Sequence, residues 1–131
     1  MAGSLAAARE IVATLGERDA DKLIALSHPD VEWHSFFALA ESGVYRGHEG
    51  TRRYMRDLDD AFDIGSAEVD EALAVGDIVL LVGRIHYRGK GSGVEGAAPA
   101  GWMLKFHEGK LVCFRAFRDP EQALEAVGGA G

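Results

Sequence analysis

The sequence predicts an α+β domain in which N-terminal helices pack on one face of an antiparallel sheet. Three observations indicate this fold class. Apolar residues in the first half of the chain recur at steps of three and four, which is the period of an amphipathic helix. Apolar segments in the second half either alternate or run continuously and are separated by glycine-containing turns, as strands are. Helices followed by antiparallel strands are typical of α+β proteins.

The composition restricts the class of function. A chain of 131 residues, 47% of them hydrophobic, can form one domain with a substantial core, so residues 1–131 are interpreted as a single domain. The formal net charge of −7 disfavours nucleic acid as a partner, because binding to phosphates needs a positively charged surface.

The cellular location is predicted from three features. The single cysteine, Cys113, cannot form an internal disulfide, which fits a reducing compartment. The N-terminus lacks the basic and then apolar layout of a signal peptide, and no apolar run approaches the roughly 20 residues of a membrane span. We therefore expect a cytoplasmic protein with no membrane partner.

The clearest helix is predicted from Gly47 to about Asp63. Its apolar stripe consists of Thr51, Tyr54, Met55, Leu58, Ala61 and Phe62. The opposite side is charged, and pairs four residues apart, such as Glu49 with Arg53, each add only about 0.2–0.5 kcal/mol to helix stability. The stripe therefore needs a surface to pack on, and we expect the strands after residue 64 to provide it.

Two shorter helices are predicted before this one. The first covers residues 4–15, and its inner face consists of Leu5, Ala8, Ile11, Val12 and Leu15. Gly16 is expected to end it, because glycine takes the left-handed cap conformation without strain. Asp19 fits an N-cap for the second helix, which should continue to Leu26 and be stopped by Pro29.

The predicted strands cover residues 30–37, 67–75, 78–87, 94–106 and 110–117. Tight turns are predicted at 76–77 and 108–109, and residues 88–93 are predicted to be a loop. A last short helix is predicted from 119 to 127, since an aspartate followed by proline is a typical helix start.

The later strands are apolar on both faces. In the strand 78–87, one face carries Val79, Leu81 and Ile85, and the other carries Ile78, Leu80 and Val82. In the last strand, one face carries Val112, Phe114 and Ala116, and the other carries Leu111, Cys113 and Phe117. In an antiparallel sheet with one face exposed to water, apolar and polar residues should alternate along each strand. We therefore predict a homodimer through the outer sheet face, and the alternative is a sheet rolled tightly enough to shield itself.

Several segments resemble one known superfamily. They are VEWH at Val31–His34, GVYRGHEGTRRYM at Gly43–Met55, VGDI at Val75–Ile78, WMLKFHEGKLVCFRAF at Trp102–Phe117 and DPEQALEA at Asp119–Ala126. From Leu5 to Val127 the chain resembles the SnoaL-like, polyketide-cyclase-type branch of the nuclear transport factor 2 and ketosteroid isomerase superfamily. The resemblance implies a cone-like curved sheet wrapped around the helices, a deep pocket and frequent dimers. Such scaffolds host isomerases, cyclases, hydrolases, dehydratases and plain binding modules.

The acid and base groups of the ketosteroid isomerase type are replaced in this chain. That enzyme type uses an aspartate base together with a tyrosine and a protonated carboxylic acid that stabilise the oxyanion. The resemblance implies Ser35 at the position of the base, Ile11 at that of the tyrosine and Trp102 at that of the second acid. Each such loss typically lowers the rate 10²- to 10⁴-fold. A steroid isomerase mechanism is therefore disfavoured.

The side chains that remain predict an aromatic and apolar pocket. Its predicted lining is Ile11, Leu15, Trp33, Ser35, Phe37, Tyr54, Met55, Leu58, Trp102, Leu104, Phe114, Ala116 and Arg118. This lining favours a small, flat hydrophobic or aromatic ligand, and Arg118 offers a charge for an anionic one. The alternative is that the aromatic rings fill the cone as core, which is a normal place for them.

Few residues are candidates for chemistry. His34 could act as a general base near neutral pH, although strict alternation points it away from Trp33. Tyr54 could donate a hydrogen bond to a carbonyl group. The five histidines lie on different elements without metal-ligand spacing, so we expect no metal, and no motif predicts a cofactor.

Two functions remain open at this point. One is binding of a small hydrophobic molecule in an enclosed pocket, with cofactor-free isomerase, cyclase or hydratase chemistry. The other is a non-catalytic ligand-binding or dimerisation module that has lost the acid and base residues of the family.

Overall fold

The structure, a computed structural model, describes residues 2–34, 44–89, 91, 93–117, 119 and 121–125. Its helices are α1 (Ala2–Glu17), α2 (Ala20–Ala25) and α3 (Gly47–Ala61). Its strands are β1 (Ser27–His34), β2 (Val44–Arg46), β3 (Phe62–Val75), β4 (Ile78–Gly89), β5 (Glu95–His107) and β6 (Lys110–Phe117). Residues 121–125 form a further helical segment, within the predicted last helix.

Within the described residues, the strands form one curved, unclosed sheet in the order β2-β1-β6-β5-β4-β3. Neighbouring strands are antiparallel, except that β1 and β6 are parallel. The predicted α+β fold with N-terminal helices on the sheet is therefore confirmed. The parallel pair was not predicted, because alternation of side chains identifies a strand but not the direction of its neighbour.

The end of α1 differs from the prediction. The helix does not stop at Gly16 but continues to Glu17, and Arg18 adopts the left-handed conformation with a φ of 59°. The backbone N–H of Arg18 donates to the carbonyl oxygen of Leu15 at 3.2 Å, and its Nη1 donates to the same oxygen at 3.1 Å. These two bonds close the helix end without glycine. Asp19 caps α2 as predicted, since its side chain accepts a hydrogen bond from the N–H of Lys22 at 3.1 Å.

Two strand boundaries also differ from the prediction. Strand β1 already begins at Ser27, so Pro29 lies within it, where the register against β6 shifts between Ser27 and Glu32. Proline is tolerated at such an irregularity because no ladder donor is needed there. Strand β3 begins at Phe62, directly after the last residue of α3, so Phe62 belongs to a strand and not to the helical stripe. The predicted strand residues 35–37 lie outside the described residues.

The core lies between the helices and the inner face of the sheet. Its largest fully buried side chains include Trp33, Phe114, Ile11, Leu81 and Leu104. Leu111 belongs to this core as well, together with Phe114, although alternation along β6 predicts the two on opposite faces. The register shifts between Lys105 and Phe106: Lys105 pairs with Cys113 and Phe106 pairs with Leu111, so Val112 is skipped. Because one residue is skipped, the side chains before it point to the sheet face opposite to the one that alternation from Cys113 predicts.

A second apolar cluster covers part of the outer sheet face. Leu80, Met103 and Ala123 are buried together there, and Ile78, Val82, Cys113 and Phe117 pack against them. Ala123 lies in the helical segment 121–125, so the chain itself supplies part of the cover that was assigned to a second copy. The two apolar faces of β4 therefore pack into two separate cores.

Candidate functional site

A recess opens at the inner face of the sheet, between the C-terminal end of α1 and helix α3. Its lining consists of Val12, Leu15, Gly16, Arg18, Tyr54, Leu58, Ser66, Ala67, Ile85, His86, Tyr87, Trp102, Phe114 and Ala116. The space amounts to about 590 Å³ when the open solvent at its mouth is included, so any molecule held there is small.

The bottom of the recess is aromatic and apolar. Trp102 and Phe114 are only 4% and 1% exposed, and they come from the neighbouring strands β5 and β6. Tyr54 and Leu58, four residues apart, face them from the stripe of α3. Residues of α1 and β3–β6 complete the walls. Strand alternation and helix periodicity thus bring together side chains that are far apart in sequence.

Trp33 forms a second layer behind this lining. It is fully buried, and its ring centroid lies 5.2 Å from that of Phe114 and 5.6 Å from that of Tyr54. Its indole Nε1 donates a hydrogen bond to Oγ1 of Thr51 at 2.8 Å, and Thr51 donates to the carbonyl oxygen of Gly47 at 2.9 Å. This chain of bonds fixes the ring that supports the two aromatic lining residues.

Tyr45 supports Tyr54 from the other side. The two rings are stacked with centroids 5.0 Å apart. The hydroxyl of Tyr45 donates to Oδ2 of Asp57 at 2.5 Å. Burial raises the pKa of Tyr45 well above its ordinary value, and the bond to Asp57 raises it further. Tyr45 is therefore a neutral hydrogen-bond donor that positions the helix, not an acid.

The lining also includes four polar residues, Arg18, Ser66, His86 and Tyr87. Ser66 and His86 are exposed, and Arg18 and Tyr87 are half-buried. The imidazole Nε2 of His86 lies 3.7 Å from a carboxylate oxygen of Glu68, and its side chain is 46% exposed. Among the described residues, the lining contains basic and hydroxyl groups but no aspartate or glutamate. The described part of the lining is therefore apolar at its bottom and carries no carboxylate.

The structure divides the predicted lining into three groups. Those that line the recess are Leu15, Tyr54, Leu58, Trp102, Phe114 and Ala116. Those that are buried in the core without lining it are Ile11, Trp33, Met55 and Leu104. Those that lie outside the described residues are Ser35, Phe37 and Arg118.

Eight lining residues were not predicted. They are Val12, Gly16, Arg18, Ser66, Ala67, Ile85, His86 and Tyr87. The helical face of α1 and the apolar parity of β4 already placed Val12 and Ile85 inward, so those two had a signal. No sequence signal identified Arg18, because its position depends on a left-handed turn that was expected at Gly16.

His34 lies on the opposite face of β1 from Trp33, as strict alternation predicts. Its Nε2 is 3.1 Å from Oε1 of Glu32, and Nη1 of Arg46 is 2.6 Å from Oε2 of the same carboxylate. The hydrogen bond with His34 and the charge of Arg46 hold the pKa of Glu32 below its usual range. His34 is thus part of a surface ion cluster and does not line the recess.

The described part of the chain offers neither a metal centre nor a membrane span. No group of three or more His, Cys, Asp or Glu side chains is arranged there to hold a metal ion. None of the helices there has the length and apolar character needed to span a membrane.

Comparisons with known proteins agree with this fold. Residues 8–114 match the family model described as a SnoaL-like domain, which confirms the resemblance drawn from the sequence. No curated protein matches the sequence.

Solved structures are similar over nearly the whole chain. An NTF2-like protein of unknown function from Burkholderia pseudomallei has a TM-score of 0.79 at 19% identity, covering 95% of this chain and 97% of its own. TerC, co-crystallised with polyporic acid, has a TM-score of 0.76 at 19% identity, covering 96% and 98%. A protein from Shewanella denitrificans assigned as a SnoaL-like polyketide cyclase has a TM-score of 0.76 at 18% identity, covering 98% of each chain. At these identities the likeness shows the fold.

Proposed function

This chain belongs to the SnoaL-like domain family, and on that premise we propose that it binds a small, largely hydrophobic organic molecule in the recess. The observation that carries the proposal is the aromatic and apolar bottom that Trp102, Phe114, Tyr54 and Leu58 form within a recess open to solvent. Pockets for small molecules typically combine such an apolar lining with a few polar groups that fix orientation. TerC has been co-crystallised with polyporic acid, which supports a small organic ligand as the class to test.

The apolar lining alone gives weak binding. A two-ring aromatic molecule that buries about 150 Å² against it gains roughly 4 kcal/mol at about 25 cal/mol per Å². That corresponds to an affinity near 1 mM before the cost of association is counted. Tight binding in this recess therefore needs polar contacts at the mouth, where Arg18, His86 and the hydroxyl groups lie.

Filling the recess tests the binding proposal. Ala116 lines the recess on β6, so Ala116→Phe should occupy the space and abolish binding of 2-naphthamide, a neutral two-ring probe, measured by calorimetry. Leu124→Phe introduces the same ring at an exposed position of the helical segment 121–125 that is not part of the lining, and it should leave binding unchanged. Equal binding by both variants would exclude this recess, and so would a failure of the unaltered protein to bind either this probe or its acid, 2-naphthoate.

We propose that any reaction here proceeds without a metal or cofactor, by proton transfer between the ligand and groups of the lining. Tyr54 offers a phenol to the lining. The imidazole of His86 is assigned no step, because the alternation of β4 places its side chain on the outer sheet face, beside Glu68. Isomerase, cyclase and hydratase reactions need such transfers.

The non-catalytic alternative has a specific observation in its favour. The described lining holds no carboxylate, whereas the ketosteroid isomerase type uses two. Once a ligand is found, turnover by the unaltered protein and by Tyr54→Phe separates the two functions. A loss of turnover with retained binding in Tyr54→Phe supports catalysis through this phenol, and unaffected turnover excludes Tyr54 as the proton donor. Binding without turnover by the unaltered protein assigns the chain to the binding modules.

A homodimer through the outer sheet face is also part of the proposal. Leu73 and Val75 are 51% and 45% exposed, and they lie on β3 opposite Leu80 and Ile78 of the outer cluster. Within the sheet, β3 is an edge strand of 14 residues, and long apolar edges are usually covered. A cytoplasmic location is proposed as well, and the free thiol of Cys113 supports it.

A further inference from the structure

Arg18 occupies an unusual position in the chain. It lies in the single turn between α1 and α2, its φ of 59° is in the left-handed region, and it lines the recess. The only other described non-glycine residue with a positive φ is Glu108, in the tight turn between β5 and β6. Left-handed positions at helix ends are usually taken by glycine, because a Cβ atom is disfavoured there.

The sequence offers a glycine two residues earlier, and the fold does not use it as the cap. Gly16 stays helical and also lines the recess, while the left-handed turn falls on Arg18. Residues held in disfavoured backbone conformations concentrate at functional sites. Here the turn brings a long cationic side chain into the lining. Its Nη1 is held 3.1 Å from the carbonyl oxygen of Leu15, another lining residue, which restricts where the guanidinium can lie.

The charge of the recess is opposite to that of the protein. The chain has a formal net charge of −7, yet the described lining contains Arg18 and His86 and no aspartate or glutamate. Two carboxylates of the described ion pairs lie beside this lining without being part of it: Glu68 is 3.7 Å from His86, and Glu17, between Gly16 and Arg18 in sequence, is 3.9 Å from Lys22. An apolar recess with a guanidinium at its mouth selects for negative charge at one end of a ligand.

We propose that the molecule bound in the recess is an aromatic or similarly flat acid, whose carboxylate or equivalent anionic group is bound by Arg18. The apolar body lies against Trp102 and Phe114, and the anionic end lies at the mouth. This inference rests on the proposed binding function and specifies its ligand class. A guanidinium presents a planar fork of donors that matches a carboxylate, which a lysine cannot reproduce.

The test compares two probes of nearly the same size and shape, 2-naphthoate and 2-naphthamide, by titration calorimetry. The unaltered protein should bind naphthoate more tightly than naphthamide. Arg18→Gln should weaken naphthoate binding about tenfold to a hundredfold, as expected for loss of a charge-assisted hydrogen bond. Naphthamide binding should change less than about twofold, since it relies on the apolar lining. The naphthoate affinity of Arg18→Lys should lie between that of the unaltered protein and that of Arg18→Gln.

Arg18→Gly guards against a folding artefact. Glycine suits a φ of 59° better than arginine does, so this variant keeps the backbone turn and removes only the side chain. It should lose naphthoate affinity as Arg18→Gln does. Arg46→Gln removes one positive charge from the surface cluster with Glu32, away from the recess, and should leave both affinities unchanged.

Each outcome has a distinct meaning. If Arg18→Gly and Arg18→Gln keep the naphthoate affinity of the unaltered protein, Arg18 does not bind the anion and the inference is overturned, while the binding function stands. If the unaltered protein binds naphthamide as tightly as naphthoate, the inference is likewise overturned. If neither probe binds, the proposed function fails first, and the inference fails with it.

Discussion

The indole Nε1 of Trp33 donates a hydrogen bond to Oγ1 of Thr51, at 2.8 Å and within the core. This bond joins β1 to the first turns of α3, and both residues are fully buried. A tryptophan can be buried completely only when its N–H finds an acceptor, and here a helical threonine provides it. The bond therefore positions the ring that lies behind the lining of the recess.

Thr51→Val should destabilise the protein. The change keeps the shape of the side chain but leaves the indole N–H buried without its acceptor, which costs about 1–3 kcal/mol. Urea denaturation followed by tryptophan fluorescence measures the free energy of unfolding. Thr51→Ser keeps the hydroxyl and should lose much less. If Val and Ser at this position cost the same, the hydrogen bond does not contribute and only packing matters.

Gly83→Ala should destabilise the protein strongly. A Cβ atom added at Gly83 would lie 1.8 Å from the carbonyl oxygen of Glu68 on the neighbouring strand β3, where the register shifts between Val69 and Glu71. A backbone atom cannot move aside cheaply, so we expect a loss of about 3 kcal/mol or more in the free energy of unfolding.

Gly96→Ala is the matched control for this change. The added Cβ would lie 2.6 Å from the hydroxyl oxygen of Tyr87, which is the far end of a side chain and can rotate away. Thermal unfolding of the two variants should give a much larger decrease in Tm for Gly83→Ala. A decrease of equal size would show that the close approach at Glu68 is relaxed in solution.

Tyr45 predicts a dependence of stability on pH. Burial and the bond to Asp57 raise its pKa above the ordinary value of 10.0, so the folded state keeps this proton when the unfolded state loses it. The stabilisation is complete below pH 10 and is lost as the pH rises from there towards the folded pKa. Unfolding free energies of the unaltered protein should therefore fall more steeply above pH 10 than those of Tyr45→Phe. Parallel curves would contradict the raised pKa.

Leu73→Glu should separate the proposed dimer into monomers. The side chain is 51% exposed on the outer face of β3, so the charge should not disturb the folded monomer but would be buried between two copies. Light scattering after size exclusion should give twice the chain mass of 14.0 kDa for the unaltered protein and the single mass for the variant. Val94→Glu, at another exposed apolar residue, is the control. A monomeric unaltered protein would refute the dimer.

The elements that apolar periodicity describes could be predicted from sequence. Helix α3 and the two-faced strand β4 follow directly from it, and so does the inward position of Trp102 and Phe114. Periodicity gives the face of a residue but not its depth. Trp33 and Trp102 share the inner side, yet one is core and the other lines the recess, because Thr51 holds Trp33 behind the rings.

Local irregularities could not be predicted from apolar periodicity either. The skipped Val112 moves Leu111 to the inner core, and no residue type at that point signals it. The left-handed turn falls on Arg18 although Gly16 has the higher intrinsic preference, because hydrogen bonds to Leu15 decide where the helix ends. Both features depend on contacts and not on propensity, and the second places the only guanidinium in the described lining.

Helix α3 follows β2 and precedes β3 without an intervening residue, and these two strands are the opposite edges of the sheet. The helix therefore has a fixed length, about 22 Å for 15 residues, and this length determines the distance between the ends of the two edge strands that it connects. One extra residue would turn its contact side by about 100° and lengthen it by about 1.5 Å. Relatives that bind larger ligands should accordingly differ in the side chains of the recess lining or in the α1–α2 turn. The number of residues in the helix should stay the same.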